Sequence, residues 1–225
     1  MKVGVLGGTF NPIHLGHLHI ARNTQQLFSL EQVHFVVATM PPHKRPEDLI
    51  PFTHRYAMVS MAVSETPSFI PSLIELEPEA SPYSYDTMKK LAYNVKPQKG
   101  ILYFIAGGDS LLEIHLWRES EKLLRTYNFI FVMRPGTKPI VLGDVLPARI
   151  VPRVTDLTGL SRTQARRRIE TEDAKTSRIY LVDAGAPDIS ATKIRKQISL
   201  GKSIRREVPG AVREYIRKLQ LYGGR

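Results

Sequence analysis

Five short apolar runs constrain the fold more than any other feature of the chain. They are 3–6 (VGVL), 33–38 (VHFVVA), 101–106 (ILYFIA), 128–133 (NFIFVM) and 178–182 (RIYLV). None shows the strict apolar–polar alternation of a strand with one wet face. Stretches with helical spacing lie between them. Strands that are apolar on both faces and separated by helices belong to a parallel sheet with helices packed on either side. The expected fold class is α/β, a doubly wound parallel sheet. In such sheets a ligand binds beyond the carboxyl ends of the strands. Two of the runs lead into paired glycines there, Gly7-Gly8 and Gly107-Gly108.

Helices are expected over 15–27, with Leu18, Ala21 and Leu27 facing inward, and over 53–61, capped by Thr53. A third is expected from a cap at Ser84 or Asp86 to about residue 95. Residues 69–76 read as a further strand, and 41–51 as a loop. The stretch 161–172 (SRTQARRRIETE) is a short, strongly basic helix. Residues 209–222 form a last helix with proline in its first turn and Val212, Ile216 and Leu219 on the packed face. The chain reads as one domain, 1–225. Segment 137–177 is an irregular basic excursion, and the helices of 190–222 are part of the domain.

Composition removes several function classes. The chain has no cysteine, so disulfides, thiolate metal sites and cysteine nucleophiles are absent. No run of 18 apolar residues is present, so no membrane partner is expected. The start does not read as a signal peptide, and a cytoplasmic protein is expected. The net charge of +11 is uneven. Residues 161–225 hold 16 Lys and Arg against 7 Asp and Glu. A basic final third suggests an anionic partner, although a merely solvated basic surface is the plainer reading.

Two segments carry chemistry. In 9–17 (TFNPIHLGH), His14 and His17 lie three apart at a helix start and share one face. Free helix N–H groups and two imidazoles suit a phosphate. A metal pair and purely structural histidines are the alternatives, and no third ligand is nearby. His19 falls off this face and reads as structural. In 189–195 (ISATKIR), Ser190 is an N-cap. Thr192 and Arg195 follow in the first turns, giving hydroxyls, N–H groups and a guanidinium for another phosphate. Alone, this segment reads more readily as a capped amphipathic helix with a basic face.

Together, GGTFNPIHLGH and ISATKIR resemble the nucleotidyltransferase superfamily with the signatures HxGH and (S/T)xTxxR. The wording GGTFNPIH resembles its bacterial nicotinate-nucleotide adenylyltransferases. Further resemblances are Pro41-Pro42-His43-Lys44, His54-Arg55-Tyr56-Ala57-Met58, Pro82-Tyr83-Ser84-Tyr85-Asp86-Thr87, and Gly107-Gly108-Asp109-Ser110-Leu111 with Trp117 after it. The chain departs from the family pattern at Ala191, where Ser is common, and at Ser84, where Thr is usual. Its segment 137–177 is longer than usual.

The resemblance implies a Rossmann-like sheet with the nucleotide at the strand ends. It implies adenylyl transfer from ATP to nicotinate mononucleotide, giving deamido-NAD and pyrophosphate in NAD biosynthesis, with Mg²⁺ accompanying ATP. It implies catalytic roles for His14, His17 and Arg195. ATP contacts are implied for Gly7, Gly8, Thr9, Phe10, Gly107, Asp109, Ser190 and Thr192. The mononucleotide would meet Thr9, Lys44, Ser84, Tyr85, Asp109, Trp117 and Arg118. Ser84 and the Tyr85 and Arg118 backbones would hold the carboxylate, with Trp117 stacking on the ring. No protein metal site is expected. Alternatives are nicotinamide mononucleotide or another acceptor and, from a different class, a basic nucleic-acid-binding protein. Against the latter, aromatic residues are not interleaved with the basic run, and no helix-turn-helix or zinc-finger pattern occurs. A basic dimerisation surface around Arg162 to Arg168 is a third reading.

Overall fold

The computed structural model describes residues 1–40, 45–77, 80–95, 100–134, 140–172, 176–183, 185, 187 and 189–223. Seven strands form one sheet. They are β1 (Lys2–Gly8), β2 (Gln32–Val37), β3 (Phe69–Ser72), β4 (Ile101–Gly107), β5 (Asn128–Met133), β6 (Val154–Asp156) and β7 (Ile179–Asp183). Their order is β3-β2-β1-β4-β5-β7-β6, and every pairing is parallel. Helices follow in alternation: α1 (Leu15–Phe28), α2 (Phe52–Val63), α3 (Ser84–Val95), α4 (Gly108–Leu112), α5 (Ser120–Thr126), α6 (Leu142–Val145), α7 (Arg162–Glu170), α8 (Ala191–Ser199) and α9 (Gly210–Lys218).

The continuous apolar runs have a direct physical cause. Successive strand residues point to opposite faces, and both faces are core. Tyr103, Ile105, Ile130, Val132, Tyr180 and Val182 enter one core with α1, α8 and α9. Their neighbours Leu102, Phe104, Phe129, Phe131, Ile179 and Leu181 enter the other with α3 and α5. The chain builds outward from β1 to β3, then returns to place β4 on the other flank of β1. The switch point therefore lies between β1 and β4, where such folds bind ligands. Gly7-Gly8 and Gly107-Gly108 lie at the carboxyl ends of those two neighbours.

Several expected boundaries move. Gly7 and Gly8, paired with Val36 and Val37, extend β1 two residues beyond the apolar run 3–6. Thr53 lies inside α2, whose N-cap is Pro51. Residues 69–76 stay extended only to Ser72, whose hydroxyl accepts the Ile74 N–H at 3.3 Å. That local bond competes with the sheet, and a 3₁₀ turn, Ile74–Leu76, follows. The last helix starts after its N-cap Pro209 and ends at Lys218, so Leu219 is exposed and not on the packed face.

The segment 137–177 is more than an excursion. Its residues 154–156 supply the edge strand β6, and Ala165 of α7 joins the core. Ser161 caps α7 as expected, accepting the Gln164 N–H. Arg162 and Arg166 turn toward α1 and donate to the side chain and carbonyl of Gln26. Part of this basic surface is thus engaged within the chain.

Candidate functional site

The first motif turns sharply at the end of β1. Phe10 has a left-handed backbone, φ 47°, and its ring is buried against Phe35 and edge-on to His17 at 4.9 Å. A Cβ at Gly8 would lie 3.0 Å from that ring. Glycine there lets Phe10 fold back beneath the strand end. The Phe10 ring thus buttresses His17, leaving only its backbone for the role expected of it.

His14 is the N-cap of α1, and its N–H donates to Nδ1 of His17 at 3.2 Å. In a neutral imidazole the nitrogen that accepts is unprotonated, so the other carries the hydrogen. His17 therefore presents Nε2–H, a donor suited to a phosphate oxygen and unsuited to a metal. The two rings stack with centroids 3.6 Å apart. A Cβ at Gly16 would come within 3.0 Å of His14 Nδ1. Among the described residues the buried His14 Nδ1 has no hydrogen-bond partner. Burial, aided by the Arg134 guanidinium, lowers the His14 pKa to about 4. Both rings sit at a helix start, where the first N–H groups have no acceptor within the helix.

The second motif meets the first. Ser190 caps α8 by accepting the Lys193 N–H at 3.2 Å. Ile189 lies beside Gly16. Arg195 reaches across 184 residues to donate to the Asn11 carbonyl at 2.9 Å, and also touches Thr192 Oγ1 at 3.4 Å. The starts of α1 and α8 therefore face one locale beyond β1.

A cavity of about 350 Å³ opens next to it, between β1, β4 and the start of α3. Of the expected residues, Gly7, Gly8, Thr9, Gly107, Ser84, Trp117 and Arg118 line it. Trp117 is half-buried and edge-on to Phe104 at 5.6 Å. Ser84 and Tyr85 are the first residues of α3, where N–H groups lack helical acceptors. The Arg118 guanidinium turns to Asp86 at 3.6 Å and lies over the Tyr83 ring. Arg118 itself is among the residues that line the cavity. The Tyr85 ring takes the Lys122 ammonium over its face, and Tyr85 does not line the cavity. Asp109 opens α4 with an exposed carboxylate 3.2 Å from Arg134, also outside that lining. Lys44 lies outside the described residues.

Three important residues are given no role by the motif reading. Arg55, 1% exposed, donates to the carbonyls of Thr9, Ala38, Thr39 and Ile50. It ties the ends of β1 and β2 into one platform. Glu75 lines the cavity and accepts from the Thr39 N–H, Thr39 Oγ1 and Thr87 Oγ1. Its burial raises its pKa, against those hydrogen bonds. It couples the β2 end to α3. Arg134 adds a cation beside His14 and Asp109. Only Arg55 had a sequence signal, its place in HRYAM. Among the described residues no three His, Asp or Glu side chains group to hold a metal.

A family model described as Cytidylyltransferase-like matches residues 5–197. Curated relatives include two probable nicotinate-nucleotide adenylyltransferases. The one from Geobacter metallireducens is 38% identical over 99% of this chain and 98% of its own length. The one from Geotalea uraniireducens is 36% identical over the same shares. The chain belongs to the cytidylyltransferase-like family, among its nicotinate-nucleotide adenylyltransferases. Its fold matches that of the Plasmodium falciparum nicotinic acid mononucleotide adenylyltransferase, solved in complex with NaAD. The TM-score is 0.71, at 20% identity over 100% of this chain and 98% of that one. The same parasite protein in complex with APC gives a TM-score of 0.70 at 19% identity, with the same coverage. The family membership agrees with the resemblance carried by HLGH and ISATKIR. No helix among the described residues is long and apolar enough to cross a membrane.

Proposed function

We propose that the protein transfers the adenylyl group of ATP to nicotinate mononucleotide, forming deamido-NAD and pyrophosphate. The observation that carries this reading is the meeting of two donor-rich helix starts, α1 and α8, at the end of β1, beside a cavity for a second ligand. A 5′-phosphate oxygen of the acceptor attacks the α-phosphorus of ATP. The bond from that phosphorus to the bridging oxygen of the β-phosphate breaks, and pyrophosphate leaves with the electron pair. The nucleophile is already an anion, so no base and no covalent intermediate are required. The work is positioning and charge neutralisation.

His17 donates Nε2–H to a phosphate oxygen, and neutral His14 supports it by stacking. The Ser190 and Thr192 hydroxyls, the α8 N–H groups and Arg195 hold the β- and γ-phosphates. Gly7, Gly8, Thr9 and the Phe10 backbone form the floor under the reacting groups. The nicotinate carboxylate meets Ser84 and the N–H groups opening α3, where the helix dipole favours an anion. Trp117 offers its face to the cationic pyridinium. Gly107 leaves the space above β4 open, since a Cβ there would meet nothing within 4 Å. Lys44 contributes a phosphate contact, and Asp109 steadies ribose or phosphate through its place beside Arg134.

Mg²⁺ fits this site as a companion of the triphosphate. The exposed Asp109 carboxylate is a hard oxygen donor at the phosphate edge, and phosphates and water would complete its shell. When bound, it would neutralise charge on the leaving pyrophosphate. The chain acts as one catalytic unit of the cytoplasm.

The test is a coupled assay offering ATP with nicotinate or nicotinamide mononucleotide. Deamido-NAD formed with a clearly higher kcat/KM is the expected result. Equal values for the two acceptors would remove the carboxylate argument, and no dinucleotide from either would remove the reading. The runner-up, a nucleic-acid-binding role, requires salt-dependent DNA binding.

A further inference from the structure

The strongest unexplained feature lies at the far end of the chain. After α9 the backbone bends through three left-handed residues, Gln220 (φ 51°), Tyr222 (φ 64°) and Gly223 (φ 74°). For two of them this conformation is unfavourable. Its product is specific. The Tyr222 hydroxyl is delivered to Oδ1 of Asn11 at 2.9 Å, across 211 residues.

Asn11 is 2% exposed, and it is the residue that Arg195 grips. Three of its polar atoms are engaged. Oδ1 accepts from Tyr222, Nδ2 donates to the Asp48 carbonyl at 3.1 Å, and the backbone carbonyl accepts from Arg195. Tyr222 stands within electrostatic reach of both Arg195 and Arg55, yet burial outweighs them and keeps the phenol protonated far above neutrality. It therefore acts as a donor throughout the working range. The turn at Leu221–Gly223 also packs on α8, the helix that carries Arg195.

We propose that Tyr222 is a positioning residue for the triphosphate site: the C-terminal turn latches Asn11, and Asn11 sets the guanidinium of Arg195. The inference rests on the reading of Arg195 as a phosphate ligand. Tyr222 itself touches no substrate. Its influence passes through the Asn11 side chain to the carbonyl of the same residue, and it falls on the ATP side of the site. The acceptor cavity is lined by other elements.

Tyr222→Phe in the full chain removes only the hydroxyl. Binding of a non-reacting ATP analogue, without acceptor, is measured by calorimetry beside the thermal midpoint and the two KM values. A lost hydrogen bond of this kind predicts roughly fivefold to tenfold weaker analogue binding and a matching rise in KM for ATP. KM for the mononucleotide stays within about twofold. Tyr222→Ala, which also removes the ring, weakens analogue binding at least as much. Equal analogue affinity in wild type and Tyr222→Phe overturns the latch, whatever the thermal midpoint does. So does an equal loss for both substrates, which marks general loosening. A wild-type protein that binds no analogue overturns the adenylyl-transfer reading and the latch together.

Discussion

The His14 N–H points at Nδ1 of His17, 3.2 Å away, while the two rings lie stacked. One histidine thereby fixes which nitrogen of the other carries the proton. His17→Ala removes a donor aimed where charge develops, and loss of one such donor lowers kcat by about 10²–10³. Steady-state kinetics with both substrates saturating, beside circular dichroism of the variant, checks this. Near-normal turnover in a folded variant would strip His17 of its role.

His14 predicts a pH dependence of stability. Its folded pKa of about 4 lies below the ordinary 6.5. The unfolded chain therefore binds the proton more readily. Stability referable to His14 is complete above pH 6.5 and is lost as pH falls from 6.5 to 4. The full swing is about 3 kcal/mol. In urea titrations at pH 7, 5.5 and 4.5, His14→Asn should flatten this part of the profile. Parallel profiles for the two proteins would contradict the buried, neutral imidazole.

Gly16→Ala separates stability from activity. Alanine favours a helix over glycine by roughly 0.5–1 kcal/mol. The new Cβ, however, would stand 3.0 Å from His14 Nδ1 and 3.1 Å from Cε1. The His14 ring must shift, and the stacked pair shifts with it. The expected variant melts no lower than wild type and turns over about tenfold or more slowly, since small misplacements of positioned groups are costly. Thermal scans and kcat on one preparation decide it.

Arg55→Met tests the platform beneath the site. Arg55 serves four carbonyls from a position 1% exposed. Removing it leaves several of them without a donor, and Glu75 without its nearby cation. A loss of about 3 kcal/mol or more is expected, since each buried acceptor left unmet costs about 1–3 kcal/mol. Urea unfolding at pH 7 measures it. Arg55→Lys should recover little, because an ammonium cannot reproduce the planar fork.

The strands were legible because both faces of the sheet are buried. The run 128–133 ends where β5 ends, since every residue after Asn128 is core. The short edge strand β6 was not, because three residues of which only Thr155 is buried carry no periodicity. His14, His17, Ser190 and Arg195 were visible as local motifs with local spacing. Glu75 and Arg134 were not. Each is an ordinary charge in its own segment, and acquires meaning only when Ser72 ends a strand or β5 ends beside β4. Asn11 lay in plain view, but nothing near it in sequence foretells Tyr222 or Asp48.

The outer strands have a consequence for how this protein behaves in a crowded solution. A parallel sheet ends in two rows of unpaired backbone groups, which can template association with another chain. Here one margin is β3, four residues long, with Pro71 in place of an amide donor. The other is β6, only three residues long. Neither margin offers a long, flat ladder, so the sheet resists edge-to-edge aggregation at both sides while its working end stays open.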